Sequence, residues 1–575
     1  MTITCWNGKP LNTTVTLLFY FYRIQFYNSY NMIKKFLPAV ILLSILSSCA
    51  EQHKKENKDH PKLVIGIVVD QMRYDYLYKY AKKYGKGGFK RLMNEGFSFD
   101  DAQYNYVPTY TGPGHTAIYT GATPSMDGIV ANDWFDKGLG KMVYCVQDDS
   151  VKTVGSPSKE GQMSPRRELV STIGDALKLS DGGKSMVIGI SEKDRASILP
   201  AGHRANAAYW LDDSTGNFIT STYYMQSLPD WATKFNNEQR AKAYLSKPWY
   251  ALLSLKSYTE SMPDDNPYEK PFKTESAPIF PHNLPVLMEK NNGMGLIKGT
   301  PFGDDILKDF AIETIKNDSL GKHDATDMLT ISFSSTDYVG HQFGTESIEL
   351  EDTYIRLDRD LDTLLTFIEK YVGKKNVIVF LTADHGAAVN AQYLMDRGVP
   401  AGYMDDKALL AKVNQYLNDK YGSELALQYC NQQFYLDDKT IAEKGLNKES
   451  IESEVANIAI QTPGVERAIP AYKLDEVNKD MINKKILNGY YPSRSGDVIV
   501  NLLPNWLAYA KTGTTHGAPY DYDAHVPLLF WGGEIKHGSS PKEEAITNIA
   551  PTISWLLHIP NPDGCVGQPM GEVTK

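Results

Sequence analysis

Five runs of apolar residues, rich in β-branched side chains, predict the strands of a buried sheet. The first run, 63–69, reads LVIGIVV and has no polar position that could face water. A strand of this kind is buried on both faces, which is typical of a parallel sheet covered by helices. The other runs lie at 186–190, 328–333, 377–381 and 526–531.

Helical patterns alternate with these runs. The clearest has apolar residues at helical spacing on one face, which predicts a helix packed on the core. Its members are Tyr354, Leu357, Leu361, Leu364, Leu365 and Ile368. Because strands and helices alternate, we predict an α/β fold with a mostly parallel central sheet and helices on both faces. In such sheets, ligands bind beyond the carboxyl ends of the strands.

Two stretches interrupt the alternation and are predicted to be inserted subdomains that wall or cap the site. The first covers about 206–300 and is rich in Tyr, Trp, Pro and Asn. Within it, 208–212 and 217–221 flank a turn-like D-S-T-G, which predicts a β-hairpin.

The second insertion covers about 390–500 and has a mixed pattern. Residues 407–421 are predicted to be helical, and 427–436 to form a strand. Residues 448–461 are predicted to be helical again, with Asn447 as the N-cap.

Composition fits an ordinary globular protein, with 42% hydrophobic and 22% charged residues in a chain of 575. That length allows a large core with inserted subdomains. The net charge of −9 and the lack of a basic patch or nucleic-acid-reading motif give no reason to expect a nucleic-acid partner.

The start of the chain has the pattern of an export signal. Residues 32–48 combine a basic head with an apolar stretch too short to span a bilayer, followed by L-S-S-C. This ending resembles a bacterial lipobox, so Cys49 is the expected lipidation site and 49–62 a polar tether. Cleavage without lipidation is the alternative. Residues 1–31 fit neither pattern, and we expect Met32 to be the true start and the upstream stretch an artefact. The protein is therefore expected in the periplasm or cell envelope, anchored by lipid.

Three cysteines remain after this leader: Cys145, Cys430 and Cys565. An odd number leaves at least one free thiol, and no C-x-x-C metal pattern is present. The sequence leaves their pairing open.

Candidate metal ligands follow the predicted strands in short motifs. The motifs are V-V-D-Q-M with Asp70, S-T-D-Y-V-G-H with Asp337 and His341, T-A-D-H-G with Asp384 and His385, and T-T-H-G with His516. Carboxylates and imidazoles of this kind suit Zn²⁺. Two such sites close together form a clamp for phosphoryl transfer.

A candidate nucleophile, Thr111, precedes G-P-G-H and a helical stretch. Pro113 suits the first helical position, which puts Thr111 just before a helix N-terminus, where free N–H groups favour an anion. A metal ion there would lower the pKa of the hydroxyl. The alternative is that Thr111 is only an N-cap. Thr109 and Thr116 are rival nucleophiles.

Taken in order, these motifs resemble the alkaline phosphatase superfamily, and within it the phosphate-irrepressible (PafA-like) group of Gram-negative bacteria. That group uses a Thr nucleophile followed by G-x-x-x-N-D-W, which here is G-I-V-A-N-D-W with Asn132. It also has a K-x-R substrate clamp, matched by Lys193 and Arg195. The similarity spans nearly all of the chain after residue 61, so 63–575 is expected to be the catalytic domain.

The resemblance implies two zinc ions. One would be held by Asp337, His341 and His516, and the other by the group Asp70, Asp384, His385 and the Thr111 oxygen. His525, in D-A-H-V-P, is a rival for the place of His516, but H-G fits the family pattern.

The resemblance further implies a zinc-dependent alkaline phosphatase of broad specificity that hydrolyses phosphate monoesters through a phosphothreonine. Asn132, Lys193 and Arg195 would bind the nonbridging phosphate oxygens, and two cations favour the dianion of a monoester. We expect a monomer. The alternatives are a phosphodiesterase or nucleotide pyrophosphatase of the same superfamily, and a non-catalytic surface lipoprotein that binds phosphate esters. A sulfatase is disfavoured because C-x-P-x-R is absent.

Overall fold

The computed structural model describes residues 60–477 and 480–574. The predicted leader, the lipidation site at Cys49 and the tether up to residue 59 lie outside the described residues. None of the helices in the described part of the chain has the length and hydrophobicity that crossing a membrane would need.

The chain alternates between strands and helices over most of the described length. In chain order the strands are β1 (Leu63–Val69), β2 (Phe97–Gln103), β3 (Asp133–Asp136), β4 (Lys141–Tyr144), β5 (Thr153–Val154), β6 (Val187–Ser191), β7 (Ala207–Leu211), β8 (Phe218–Ser221), β9 (Asp327–Phe333), β10 (Val377–Thr382), β11 (Gly402–Tyr403), β12 (Ala426–Cys430), β13 (Gln433–Leu436), β14 (Val465–Pro470), β15 (Val498–Leu502), β16 (Trp506–Leu507), β17 (His525–Gly532) and β18 (Gly538–Ala545).

The helices in chain order are α1 (Tyr76–Lys79), α2 (Phe89–Glu95), α3 (Thr111–Thr120), α4 (Pro124–Asp127), α5 (Ile173–Ser180), α6 (Asp194–Ala201), α7 (Asp230–Asn237), α8 (Arg240–Leu245), α9 (Leu284–Leu287), α10 (Phe302–Asn317), α11 (Ser335–Phe343), α12 (Ile348–Tyr371), α13 (Ala391–Met395), α14 (Asp406–Tyr421), α15 (Asp438–Glu443), α16 (Lys448–Ala459), α17 (Met481–Gly489), α18 (Asp521–Ala524) and α19 (Ile549–Leu557).

A ten-stranded sheet has the order β18-β2-β17-β10-β1-β9-β6-β7-β8-β5. Its five central neighbours, β10, β1, β9, β6 and β7, pair in parallel. Strand β1 is buried along its whole length, as its uninterrupted apolar run predicts. Helix α12 carries the predicted apolar stripe, and every member of that stripe is buried. The predicted α/β class with a mostly parallel sheet is therefore confirmed.

The last apolar run corrects one expectation. We predicted 526–531 as a further strand like the other four, but β17 pairs antiparallel with both β10 and β2. An uninterrupted apolar run indicates that a strand is buried on both faces. A central antiparallel strand is buried in the same way, so the run does not determine the direction of the strand. Because β17 runs the opposite way, its first residue lies at the edge where β1, β9 and β10 end.

The predicted hairpin is confirmed, since β7 and β8 pair antiparallel through Trp210 with Ile219 and Leu211 with Phe218. Its place differs from our expectation. Strand β7 also pairs in parallel with β6, so residues 207–221 extend the central sheet instead of belonging to the first insertion. All residues of β7 are buried, which explains why the sheet continues there.

The second insertion forms a separate four-stranded antiparallel sheet with the order β12-β13-β15-β14, which packs with α14 and α16 around its own apolar cluster. Both predicted helices are confirmed, and the Asn447 side chain caps α16 by accepting the Ser450 N–H. The single strand predicted over 427–436 is wrong. It is a hairpin whose turn residues, Asn431 and Gln432, have positive φ angles of 51° and 58°, as in a type I′ turn.

Candidate active site and metal centre

Polar side chains meet at the carboxyl edge of the four neighbouring strands β10, β1, β9 and β6. Asp384 follows β10, Asp70 follows β1, Asp337 lies on the helix after β9, and Lys193 follows β6. Parallel strands end at one edge, so residues far apart in sequence are brought together there. His516 joins them from the segment that precedes the antiparallel strand β17.

Two groups of side chains at this edge have ligand atoms within 4.8 Å of one another. One contains Asp70, Asp384 and His385, and the other contains Asp337, His385 and His516. His385 belongs to both because its ring stacks on that of His516, with centroids 3.4 Å apart. His341 adjoins the second group, since its Nε2 lies 3.2 Å from Asp337 Oδ1.

The three imidazoles share one orientation. The Nδ1 atoms of His341, His385 and His516 lie 2.8, 2.9 and 2.7 Å from the backbone carbonyl oxygens of Thr514, Gly386 and Thr109. A carbonyl accepts only from an N–H, so Nδ1 carries a proton in each ring, and Nε2, which faces the carboxylates, is the nitrogen that a metal ion would bind. Metal-binding histidines commonly have this arrangement.

Several buried atoms in this cluster lack a hydrogen-bond partner. Among the described residues these include Asp70 Oδ1, Asp384 Oδ2 and His385 Nε2. Leaving such atoms unpaired costs about 1–3 kcal/mol each, and more for charged groups. A divalent cation would satisfy all three, and their oxygen and nitrogen donors suit zinc. The residues present therefore fit a metal pair.

Lys193 lies between the two groups. Its Nζ donates to Asp70 Oδ2 and Asp337 Oδ2, at 2.6 Å in each case, and its side chain is 1% exposed. Burial and the charge of Asp384 raise the pKa of Asp70 well above its ordinary value. Burial also acts to raise the pKa of Asp337, but the charges of His341 and Lys193 outweigh it and hold that pKa low.

Thr111 is the first residue of α3, after Tyr110 in an extended conformation. We predicted that the helix would begin at Pro113, and that boundary is wrong by two residues. Proline is tolerated throughout the first turn because an N–H there has no partner within the helix. Gly114 is the first residue of α3 to donate within this turn, to the Tyr110 carbonyl.

The hydroxyls of the three candidate threonines differ in their contacts. Thr109 donates to the Ala518 carbonyl at 3.1 Å, and Thr116 donates to the Gly112 carbonyl at 2.9 Å. The Oγ1 of Thr111 instead accepts from Arg195 Nη2 at 3.4 Å. Among these threonines, Thr111 is thus the one whose hydroxyl faces a cationic group.

Asn132 lies directly beside the start of α3. Its Oδ1 accepts the Gly112 N–H at 2.7 Å, which fixes the amide so that its NH₂ group is available to donate. Gly114, one turn further, comes so close to the Asp384 loop that a Cβ there would lie 2.4 Å from the Asp384 carbonyl oxygen. The glycine therefore allows the helix to approach the candidate metal ligands.

The family model for type I phosphodiesterase / nucleotide pyrophosphatase matches residues 64–526. The chain belongs to this family. It is 45% identical over 526 residues to a protein of Myroides odoratus named calcium-transporting ATPase, covering 90% of this chain and 96% of that one. It is 42% identical to alkaline phosphatase PhoV of Synechococcus elongatus and to alkaline phosphatase PafA of Elizabethkingia meningoseptica. Each match covers 94% of this chain and 99% of the relative.

The crystal structure of wild-type PafA superposes with a TM-score of 0.87 at 43% identity, covering 90% of this chain and 99% of that one. The resemblance to the alkaline phosphatase superfamily and its PafA-like group is therefore confirmed. In the present chain, the sequence-predicted ligands and Lys193 lie together. Thr111 begins α3, and Asn132 and Arg195 contact the start of that helix.

Three residues of the site were missed by sequence reasoning. Gln71 donates from Nε2 to Asp337 Oδ1 at 2.7 Å and from its backbone to Asp384 Oδ1 at 3.1 Å. His115 places its Nε2 2.8 Å from Ser332 Oγ and its Nδ1 3.3 Å from Asp384 Oδ2. Gln71 has a φ of 65°, a left-handed conformation that costs energy and clusters at functional sites. No local motif signals either contact.

The third missed residue, Tyr144, fixes Arg195. The Tyr144 hydroxyl accepts from Arg195 Nη1 at 3.0 Å and donates to Asp194 Oδ1 at 2.5 Å. Tyr144 is the last residue of the β-hairpin that follows Asn132. Residues 132–144 therefore include one predicted substrate-binding residue, Asn132, and contact another, Arg195.

Other candidates lie elsewhere. His525 stacks on Tyr74 with ring centroids 4.3 Å apart, and its Nε2 is 3.0 Å from the Asp100 carbonyl oxygen. The structure thus brings His516, and not its rival, to Asp337. Cys145, Cys430 and Cys565 are free thiols.

We expect Tyr144→Phe to weaken the binding of inorganic phosphate about ten-fold, or about 1.4 kcal/mol, because Arg195 loses a hydrogen-bonded anchor while all charges remain. Titration calorimetry on the folded variant measures this. Tyr223→Phe is the matched control, since the Tyr223 hydroxyl donates to the His203 carbonyl away from the site. Equal phosphate affinities for wild type and Tyr144→Phe would contradict the positioning of Arg195 by this hydroxyl.

Proposed function

We propose that this chain is a zinc-dependent alkaline phosphatase that hydrolyses phosphate monoesters through a phosphothreonine at Thr111. The enzyme class, phosphoric monoester hydrolase, follows from relatives named alkaline phosphatase that match almost the whole chain. The observation that carries the rest is the set of buried, unpartnered oxygen and nitrogen atoms at the strand edge, next to the Thr111–Arg195 pair.

The donor set divides between two zinc ions. Asp337, His341 and His516 would hold one, and the other would be held by the group Asp70, Asp384, His385 and the Thr111 oxygen. Ions held by these residues would supply positive charge at the nucleophile and at the leaving group of an in-line transfer. When bound, the ions lower the pKa of the Thr111 hydroxyl and offset the negative charge that develops during transfer.

The other steps belong to side chains of the protein. Thr111 gives up its hydroxyl proton and attacks phosphorus, which forms the phosphothreonine and releases the alcohol. Water then attacks the phosphothreonine, which releases phosphate and restores the hydroxyl. The Asn132 NH₂ group, the Arg195 guanidinium and the Lys193 ammonium bind the nonbridging oxygens, where charge accumulates in the transition state. Their anchoring before substrate arrives reduces the reorganisation that the reaction requires.

Two cations in the site, Arg195 at Thr111 and Lys193 at Asp70 and Asp337, favour monoesters over diesters. A monoester is a dianion, whereas a diester has one charge and a second substituent. A variant of PafA with replaced Thr, Asn, Lys and Arg residues has also been solved. Its Thr and Asn are separated as Thr111 and Asn132 are here, and its Lys and Arg have one position between them, as Lys193 and Arg195 have. This agreement supports the assignment of these four residues to one site.

We expect Thr111→Ala to lower monoester hydrolysis by about 10³-fold or more, because the nucleophile is lost, while the purified protein keeps its zinc. Thr111→Ser, which keeps a hydroxyl, is the matched control and should retain far more activity. Elemental analysis measures whether the variant keeps its zinc. Turnover, measured before chelation, after chelation and after zinc is returned, tests the roles of Thr111 and of the metal. Unchanged turnover by Thr111→Ala, or full activity in zinc-free protein, would refute the proposal.

We expect the double variant Lys193→Ala/Arg195→Ala to lose about 10²–10³-fold in kcat/KM for a phosphate monoester and much less for a matched diester, because the second charge of the monoester loses its partners. Kinetics on an aryl monoester and its methyl diester, both at saturating zinc, measure the ratio. Equal losses on the two substrates would instead favour the phosphodiesterase alternative that the family description includes.

We also propose that the protein is exported and lipid-anchored at Cys49, on the strength of the L-S-S-C motif alone. Palmitate labelling in a bacterial host, followed by electrophoresis, should show label in the wild type and none in Cys49→Ala. Export of an unlabelled wild-type protein would mean that the leader is cleaved without lipidation.

A further inference from the structure

Two buried carboxyl groups lie at the start of helix α11, outside the candidate metal cluster. Glu192 is 0% exposed, and its Oε2 accepts the Ser334 N–H at 2.9 Å. Asp304 is 1% exposed, and its Oδ1 accepts the Ser335 N–H at 3.2 Å. Neighbouring backbone groups of one helix start are thus bound by side chains from two other elements, the end of β6 and helix α10.

These contacts replace an ordinary helix cap. The first N–H groups of a helix have no partner within it, and a serine at the N-cap commonly accepts one. Here the Ser334 side chain makes no such bond and lies instead 3.2 Å from Ser191 Oγ. The N–H groups of Ser334 and Ser335 therefore depend on Glu192 and Asp304 for their acceptors, and the position of these carboxyls fixes where the helix begins.

The phosphate-binding lysine and two candidate zinc ligands both lie close in sequence to these contacts at the start of α11. Glu192 immediately precedes Lys193, whose N–H donates to Ser191 Oγ at 3.1 Å. Helix α11 carries Asp337 and His341, two and six residues after Ser335. A shift of the carboxyl pair would therefore move the substrate-binding lysine relative to the candidate zinc ligands.

Glu192 and Asp304 accept from consecutive backbone N–H groups, those of Ser334 and Ser335, so both buried carboxyl groups lie at the same helix start. Burial and the charge of Glu192 raise the pKa of Asp304 well above its ordinary value, and burial raises that of Glu192. The charge of Lys298 partly offsets the rise in the pKa of Glu192, and the charge of Asp360 adds to the rise in the pKa of Asp304. The oxygens that do not contact α11, Glu192 Oε1 and Asp304 Oδ2, are buried and have no hydrogen-bond partner among the described residues. Two adjacent buried carboxylates cannot both stay ionised at modest cost.

We propose that Glu192 and Asp304 share one proton and act together as positioning residues that fix Lys193 relative to α11. This inference rests on the proposed function, because it assigns the pair to the placement of the phosphate-binding lysine and of two zinc ligands. One carboxyl donates the shared proton to the other, and both keep an oxygen free to accept from the helix start. The pair has one negative charge in place of two.

The test compares amide and alanine variants in the zinc-loaded enzyme. In Glu192→Gln or Asp304→Asn, the new NH₂ group donates to the remaining carboxylate, so the hydrogen bonds and the net charge are kept. We expect both to retain kcat/KM for a monoester within about three-fold. Glu192→Ala and Asp304→Ala lose the bond, and we expect kcat/KM to fall about ten-fold, with a smaller fall for the matched diester. Zinc transfer to a chelator should become about ten-fold faster.

Infrared difference spectra report the proton itself. Wild type minus Glu192→Gln, and wild type minus Asp304→Asn, should each contain one protonated-carboxyl band at neutral pH. This readout remains available should the alanine variants fail to fold. Glu168→Ala is the control, because Glu168 is also a buried carboxyl whose oxygens lack hydrogen-bond partners among the described residues. It should alter neither the monoester-to-diester ratio nor zinc release.

Absence of the band from both difference spectra would overturn the shared proton. Folded alanine variants with the wild-type substrate ratio and zinc release, or with the same changes as Glu168→Ala, would overturn the positioning role. A failure of the proposed function looks different, because the wild type itself would then lack zinc or monoester hydrolysis.

Discussion

Three buried carboxylates at one edge of a parallel sheet set the main physical constraint on this molecule. Asp70, Asp337 and Asp384 are between 0% and 3% exposed, and an isolated carboxylate in such surroundings would be protonated or would destabilise the fold. Lys193 provides one positive charge and bonds to two of them. The unpartnered oxygens and the Nε2 lone pairs nearby leave room for further positive charge, which divalent cations would provide.

The rest of the site follows from the need to hold three imidazoles in fixed orientations against these carboxylates. Each of the three histidines is fixed through Nδ1 by a backbone carbonyl. For His385 this carbonyl belongs to the next residue, whereas for His341 and His516 it comes from a distant segment of the chain. Thr109 precedes the nucleophile, whereas His516, which it orients, precedes β17. The antiparallel direction of β17 brings that segment to the right edge. Rigid strand ends and the loops between them therefore determine the ligand geometry together.

The sequence predicted what depends on local pattern. Uninterrupted apolar runs identified the strands, and the polar residues after them gave the candidate ligands that the structure brings together, because a strand end and the side chains beyond it adjoin in sequence. It failed where the decisive contact is distant. The direction of β17 is set by pairing with β10 and β2, and the turn at Asn431 and Gln432 lacks the usual glycine. Gln71 and Tyr144 were missed because their partners lie elsewhere in the chain, where no motif indicates them.

Two kinds of carboxyl group lie at the first turn of helix α11, and the difference between them explains how dense negative charge is tolerated there. Asp337 faces cationic groups, which hold its pKa low despite burial. Asp304 binds the Ser335 N–H at the start of this helix, and burial together with the charge of Glu192 raises its pKa. Neighbouring carboxyls with opposite shifts can have different roles: one binds a cation, and the other supplies hydrogen bonds. A second full negative charge at the Glu192–Asp304 pair would weaken the attraction of Lys193 for a phosphate dianion. Sharing a proton allows the pair to stabilise the helix start while limiting that effect.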